Sequence, residues 1–289
     1  MPRRPWLLIT GIAGLLLLLL YRHGRAPAGH REQTIDVAEQ KSLPGPSDFA
    51  ILCMTTQETS YDWMSFSNKH KYAKKHGHDL IWDFEPAHGY AKVWDKLNVT
   101  RDAVEATLSG RKSYQWLWMV DFDTLITNTD IRLDSVIEQS LLFAELEGSS
   151  RDDMHLILTR DCQPLNAGSM FLRASPWVLD FVEQWRAGAN VLAMNTTNHN
   201  HLVRNEQEVL RDMLASNEFD VVNKSVIAPQ WIFNAYPEEI PCRDTRFNTA
   251  WKPGMFVMHF AGAGWVTKQQ DAVGTLMRKY WPMVDHMEV

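Results

Sequence analysis

Asp121-Phe122-Asp123 sets two carboxylates two positions apart, directly after the apolar run Trp116–Val120, WLWMV. Such a run reads as a buried strand. It would deliver both carboxylates to the carboxyl edge of an α/β sheet, where open sheets bind ligands. Two hard oxygen donors suit Mn²⁺ or Mg²⁺, which keep substrate phosphates in their remaining positions. A bare D-x-D more often caps a turn, but the strand ahead of this one favours the metal. A third ligand is sought at another strand end. Val257-Met258-His259-Phe260 holds a His inside an apolar run, ahead of Ala261-Gly262-Ala263-Gly264. Those small residues let backbone approach a phosphate closely. A lone His in such a run is commonly a core residue. Asp161-Cys-Gln-Pro-Leu-Asn166-Ala-Gly168-Ser169 is rich in turn residues. Asn166 and Ser169 can hydrogen-bond hydroxyls there, with Gly168 permitting close approach; an ordinary turn fits equally well. Asn205-Glu206-Gln207-Glu208 opens a helix, where acidic residues often serve only the helix dipole.

The elements that must carry these residues alternate. Continuous apolar runs at 49–55, 116–120, 155–159 and 167–172, with shorter ones at 79–83, 220–226 and 256–260, read as strands. Helices are expected at 61–76, ended by Gly77, and at 92–109, with Trp94, Leu97, Val104 and Leu108 buried. Further helices are expected at 133–147, 206–215 and 267–280, and from Ser175-Pro176 to Ala187 with Ser as N-cap. The pattern is α/β with a mostly parallel sheet.

The chain has 289 residues with a net charge of -6. Residues 1–31 hold five Arg and no acid, so 32–289 carry 24 basic against 35 acidic residues, a net of -11. A body that acidic is a poor polyanion binder, which disfavours nucleic acid. Trp6–Tyr21 is an uncharged apolar run of 16 residues. A cleaved signal peptide, an uncleaved signal-anchor and a buried helix compete for it. The anchor suits it best: residues 1–5 are then a cytoplasmic tail, 6–21 the span, 22–47 a Pro- and Gly-containing stem and 48–289 the globular domain. Of three Cys, Cys53 lies in an apolar run, and Cys162 and Cys242 can bridge. The sequons at Asn98, Asn195 and Asn223 fit a lumenal body.

Taken in order, a set of short motifs forms a wider pattern. It comprises Asn68 with Tyr72-Ala73 and His76-Gly77, Trp94-Asp95-Lys96, the strand with Asp121-Phe-Asp123, and Asp161 with Leu165-Asn166-Ala-Gly168-Ser-Met-Phe171. Asn205-Glu206-Gln207, Gln230-Trp-Ile-Phe-Asn234-Ala-Tyr236 and His259-Phe-Ala-Gly262 complete it. On these residues, from about Phe49 to Trp281, the chain resembles glycosyltransferase family 34, which holds fungal Golgi α-galactosyl- and α-1,6-mannosyltransferases and plant xyloglucan xylosyltransferases.

The resemblance implies a GT-A fold, a retaining mechanism and a type II Golgi membrane topology with a lumenal catalytic domain. It implies a nucleotide-sugar donor (UDP-Gal, GDP-Man or UDP-Xyl) and a glycan acceptor. Asp121, Asp123 and His259 correspond to metal ligands. Glu206 and Gln207 match the acidic-Gln pair near the transferred sugar, and Asn166 and Gly168 match the sugar-side loop. Asp161 is a further catalytic candidate, and Gly262 a donor-binding one. Trp231, Trp251 and Trp265 are candidates for stacking on the acceptor. The chain also departs from the pattern: Ala263 and Gly264 stand where relatives carry Cys or, in plants, a Lys near the diphosphate, and Asn205 stands at an often acidic position. Lys268 is the next basic candidate. These departures support a second reading, a catalytically silent relative that binds glycans or scaffolds other Golgi transferases.

Overall fold

The computed structural model describes residues 48–55, 57–84, 93–190 and 204–284. Along them run β1 (Phe49–Met54), α1 (Asp62–His76), β2 (Asp79–Asp83), α2 (Asp95–Leu108), β3 (Trp116–Val120) and β4 (Thr124–Ile126). Then follow α3 (Leu133–Leu146), β5 (Leu156–Thr159), β6 (Asn166–Arg173), α4 (Pro176–Asn190) and α5 (Glu206–Ser216). The chain continues through β7 (Ser225–Ala228), β8 (Val257–His259), α6 (Ala263–Thr267) and α7 (Ala272–Tyr280). The expected anchor at 6–21, the stem at 22–47 and the Asn195 sequon lie outside the described residues. Among the described residues no helix is long and apolar enough to cross a membrane.

Every residue of β1 and β3 is buried, so both faces of these strands need cover. Alternation divides their side chains between two cores. Phe49, Ile51, Trp116 and Trp118 pack with Tyr72 of α1 and Val136 and Ile137 of α3. Ala50, Leu52, Leu117 and Met119 pack with Leu97 of α2, Phe181 and Trp185 of α4 and Leu210 of α5. The six-stranded sheet runs β2-β1-β3-β6-β5-β7, and only β6 is antiparallel to its neighbours. The mostly parallel α/β expectation holds.

A second, two-stranded sheet pairs β4 with β8 antiparallel, with Thr124 opposite His259. Hydropathy does not announce β4, because three residues are too few for a period. The strand expected at 220–226 starts instead at Ser225, because Asn217, Phe219 and Asp220 take positive φ and the Asn217 side chain accepts the Val222 amide at 2.9 Å. The helix expected over 267–280 is broken, with Lys268 at φ 54° between α6 and α7. Leu108 is exposed at the end of α2, while Trp94, Leu97 and Val104 are buried as expected. Cys162 and Cys242 are bridged and Cys53 is buried. Asn98 lies within α2, where its side chain bonds Asp95 and Arg186. Asn223 is exposed.

Trp118 anchors the sheet: it is fully buried, stacks on Phe171 at 5.8 Å and donates its indole N–H to Ser169 Oγ at 3.0 Å. Trp118→Ala should lower unfolding free energy by about 3–5 kcal/mol. Urea unfolding followed by circular dichroism measures it; a loss below about 1 kcal/mol would contradict this packing.

Candidate active site

β3 ends at Val120, and the chain turns through Asp121, Phe122 and Asp123 into β4. The Asp121 amide donates to Gly168 O of β6 at 2.7 Å, and Phe260 N, just past β8, donates to Asp123 O at 2.9 Å. These two bonds bring Asp121, Asp123 and His259 together, with their ligand atoms all within 4.8 Å of one another.

The surroundings of this trio suit a metal. His259 is buried, and its Nδ1 lies 2.7 Å from Asn234 Oδ1. Asn234 can only accept through that oxygen, so Nδ1 carries a proton and Nε2 is the nitrogen turned to Asp123, donating to it when protonated and able to ligate a metal when not. Nε2 is 3.2 Å from Asp123 Oδ1. Asn234 is itself fixed: its amide donates to Thr159 Oγ1 at 2.7 Å and to Asn166 Oδ1 at 2.9 Å. Gly168 lies against the trio. A Cβ there would sit 2.3 Å from His259 Cε1 and 2.8 Å from Asp121 Oδ2. The close approach permitted by Gly168 therefore serves the ligand set.

Lys96 of α2 joins the trio to α5. Its Nζ is 2.6 Å from Asp121 Oδ1 and 3.0 Å from Glu206 Oε1. Burial alone would lower its pKa, but the two carboxylates outweigh burial and hold the ammonium charged well above its usual value. Burial pushes Asp121 up against the opposing pull of Lys96. Asp123 resists the same burial and lies below the usual carboxylate range, because His259 faces it. In front of the trio is a recess of about 170 Å³ lined by Met54, Thr55, Gln57, Tyr61, Lys96 and the D-x-D turn, among others.

Residues 51–270 match the galactosyl transferase GMA12/MNN10 family. The chain belongs to that family. It is 26% identical over 230 residues to a Saccharomyces cerevisiae protein named as a probable alpha-1,6-mannosyltransferase, MNN10, a match covering 71% of this chain and 56% of that one. It is 24% identical over 279 residues to a Schizosaccharomyces pombe protein named as a probable alpha-1,2-galactosyltransferase, gmh2, covering 86% and 74%. The chain thus spans little over half of the first relative. Among solved structures it is similar to a glycosyltransferase involved in glycosylation of the major capsid of PBCV-1, with a TM-score of 0.56 at 13% identity, covering 80% of this chain and 98% of that one. That likeness is one of fold, and it fits the GT-A architecture.

For this GMA12/MNN10 family chain, the structure separates the residues singled out by sequence into two groups. Asp121, Asp123, His259 and Glu206 face one another or share Lys96. The others stand behind them. Gln207 accepts the Ala167 amide at 2.9 Å and so braces β6 beside Gly168. Asp161 accepts from Gln163 N at 2.6 Å, from Tyr236 OH at 2.9 Å and from Asn166 at 3.1 Å. Both its oxygens are committed to protein groups, which makes it a positioning residue and not a reacting one. Asn166 donates to Asp161 and Tyr236 and accepts from Gly168 N and Asn234, so it has no group left for a sugar hydroxyl. Ser169 is fully buried between Trp118 and Phe233 O, which removes it from any sugar contact. Asn205 and Glu208 form a capping box for α5, while Glu206 turns to Lys96. Gly262 takes φ 74° between β8 and α6. Of the three candidate stacking residues, Trp251 is core and bonds Thr127 Oγ1, Trp231 is partly buried, and Trp265 is 89% exposed.

Sequence reading gave no role to Lys96 or Asn234. A polar residue inside the aromatic and apolar run Trp231-Ile-Phe-Asn234-Ala-Tyr236 was the available signal for the second. Lys96 is marked only as part of the Trp94-Asp95-Lys96 motif, which gives it no role by itself.

Gly168→Ala should displace His259 and weaken Mn²⁺ binding about 10–100-fold, the range for disturbing a metal ligand's support. Calorimetric titration with Mn²⁺ reads this directly. Unchanged affinity would show that β6 does not shape the ligand set. Asn234→Ala frees the His259 ring and should weaken Mn²⁺ in the same direction, while the smaller effect expected of Gln207→Ala is on thermal stability.

Proposed function

We propose that this chain is a metal-dependent, retaining glycosyltransferase that moves a hexose or pentose from a nucleotide sugar (UDP-galactose, GDP-mannose or UDP-xylose) to a glycan acceptor. The observation that carries the reading is the trio Asp121, Asp123 and His259, with Nε2 turned to Asp123, beside a recess lined by both carboxylates and by Lys96. Two carboxylates and an imidazole suit Mn²⁺ better than Mg²⁺, which prefers an all-oxygen shell. When bound there, the ion acts as a Lewis acid toward the leaving diphosphate.

The chain's own residues supply the rest. The Lys96 ammonium has three N–H donors, of which Asp121 and Glu206 take two. The third is available to a phosphate or sugar oxygen in the recess. This cation answers the Ala263 and Gly264 departure, which removes a basic residue from the loop after His259; Lys268 is exposed, with φ 54°. Glu206 is bonded to that ammonium at Oε1 and sits at the first turn of α5. Its carboxylate would stabilise positive charge growing at the anomeric carbon, and its bond to Lys96 disfavours a nucleophilic role. Retention then follows from attack by the acceptor on the face that the diphosphate leaves, with a phosphate oxygen accepting the proton. The apolar run 6–21 supports a Golgi membrane anchor with a lumenal catalytic domain, and assembly with other Golgi transferases is in keeping with that location.

The test is a donor screen on purified protein with UDP- and GDP-sugars, with and without Mn²⁺. Asp123→Ala should lower kcat about 10²–10³-fold, by analogy with losing one charge-stabilising group in a transition state. Lys96→Met should lower kcat/KM by a comparable factor and raise the apparent Kd for the nucleoside diphosphate. Transfer that persists undiminished in Asp123→Ala sinks the mechanism. Metal-dependent nucleotide binding with no turnover on any donor would favour the silent, glycan-binding reading.

A further inference from the structure

Beneath the D-x-D turn lies a second lysine that the mechanism above does not use. Lys69 of α1 is fully buried. Its Nζ donates to Thr124 O at 3.0 Å and to Ser65 Oγ at 2.8 Å, and Ser65 Oγ donates to Phe122 O at 2.5 Å. One turn along, Asn68 closes both sides of Ile126, donating to its carbonyl at 2.9 Å and accepting its amide at 2.7 Å. Thus α1 grips the carbonyls of residues 122, 124 and 126, alternate positions on one edge of the segment that leaves β3.

The middle grip matters most, because Thr124 is linked to all three residues of the trio. It follows Asp123 directly. Its hydroxyl donates to Asp121 O at 2.7 Å, and it stands opposite His259 in the β4–β8 register. Among the described residues no carboxylate forms an ion pair with Lys69; its partners are a hydroxyl and a carbonyl. Burying an ammonium on neutral partners is unfavourable, and an apolar chain of the same length would fill the space more cheaply. Burial lowers the Lys69 pKa, an effect that the charges of Asp123 and Asp121 oppose without overcoming it. A position that keeps an unfavourable group does so for something other than fold stability.

Resting on the metal reading of the trio, we propose that Lys69 is a positioning residue that fixes the metal-binding turn from its buried side, through Thr124 O. The signs of the alternatives differ, which makes the proposal testable without an activity assay. Removing a positive charge near a dication should by itself tighten metal binding. Losing the grip on Thr124 should weaken it.

Mn²⁺ binding to the full chain is followed by the electron paramagnetic resonance signal of free Mn²⁺, with thermal unfolding measured on the same samples. Lys69→Met should raise the Mn²⁺ Kd about tenfold or more, with Tm unchanged or higher. Ser65→Ala, a milder change that keeps the lysine, should raise the Kd several-fold with Tm close to wild type. Wild-type or tighter Mn²⁺ binding in Lys69→Met overturns the proposal. So does a fall in Tm that accompanies weaker binding in both variants, which marks a purely structural role. Wild-type protein that binds no Mn²⁺ overturns the metal reading itself, whereas wild-type binding that neither variant alters removes only the role given to Lys69.

Discussion

Two carboxylates on one turn repel each other, and their repulsion is the constraint that the rest of the structure answers. Asp121 and Asp123 have side chains only 29% and 23% exposed, so water screens them weakly. Uncompensated, they would push apart or take up protons. Support comes from three directions: Lys96 of α2 pairs with Asp121, His259 of β8 faces Asp123, and Lys69 of α1 holds the carbonyl of Thr124 beneath the turn. Each comes from a different element, so the turn keeps its geometry only if helix, sheet and small sheet are all in place. A divalent cation would complete this arrangement, and a charged diphosphate could then be accepted by a body carrying a net of -11 over residues 32–289.

The fold explains why the elements meet here. The antiparallel insertion of β6 between β3 and β5 sets Gly168 beside Asp121, where a parallel strand would have brought a different residue. Only a residue without Cβ leaves room for His259. The β4–β8 ribbon then carries His259 across to Asp123. Behind it a chain of bonds runs from Asp161 through Asn166 and Asn234 to His259 Nδ1. The Cys162–Cys242 bridge ties the loop where this chain begins to the segment after Tyr236. The orientation of one imidazole is thus set by residues spread over most of the domain.

Much of this was legible in the sequence, for reasons that differ by residue. The strand before Asp121 was visible because a doubly covered strand is apolar on both faces. The helix ending at Gly77 was visible because a left-handed cap selects glycine. His259 stood out as a titratable group in an apolar run. What hydropathy could not show was direction and partnership. Nothing in NAGSMFLR says that β6 runs against its neighbours, so the sequence leaves Asn166 and Ser169 equally open to sugar contact or an ordinary turn, whereas their side chains bond other protein groups. Lys96 belongs to the Trp94-Asp95-Lys96 motif and Lys69 to none, and only tertiary placement gives either of them a role. The family match bears on the first group of residues and leaves the second to geometry.

The account's central claim is that Asp121, Asp123 and Nε2 of His259 hold one divalent cation. The most direct measurement is anomalous diffraction at the manganese edge from crystals of the protein grown with Mn²⁺ and a nucleoside diphosphate. The account predicts a single strong peak within bonding distance of both carboxylates and of Nε2, with Nδ1 still on Asn234. A peak elsewhere, or one that leaves His259 out of the coordination shell, would contradict it.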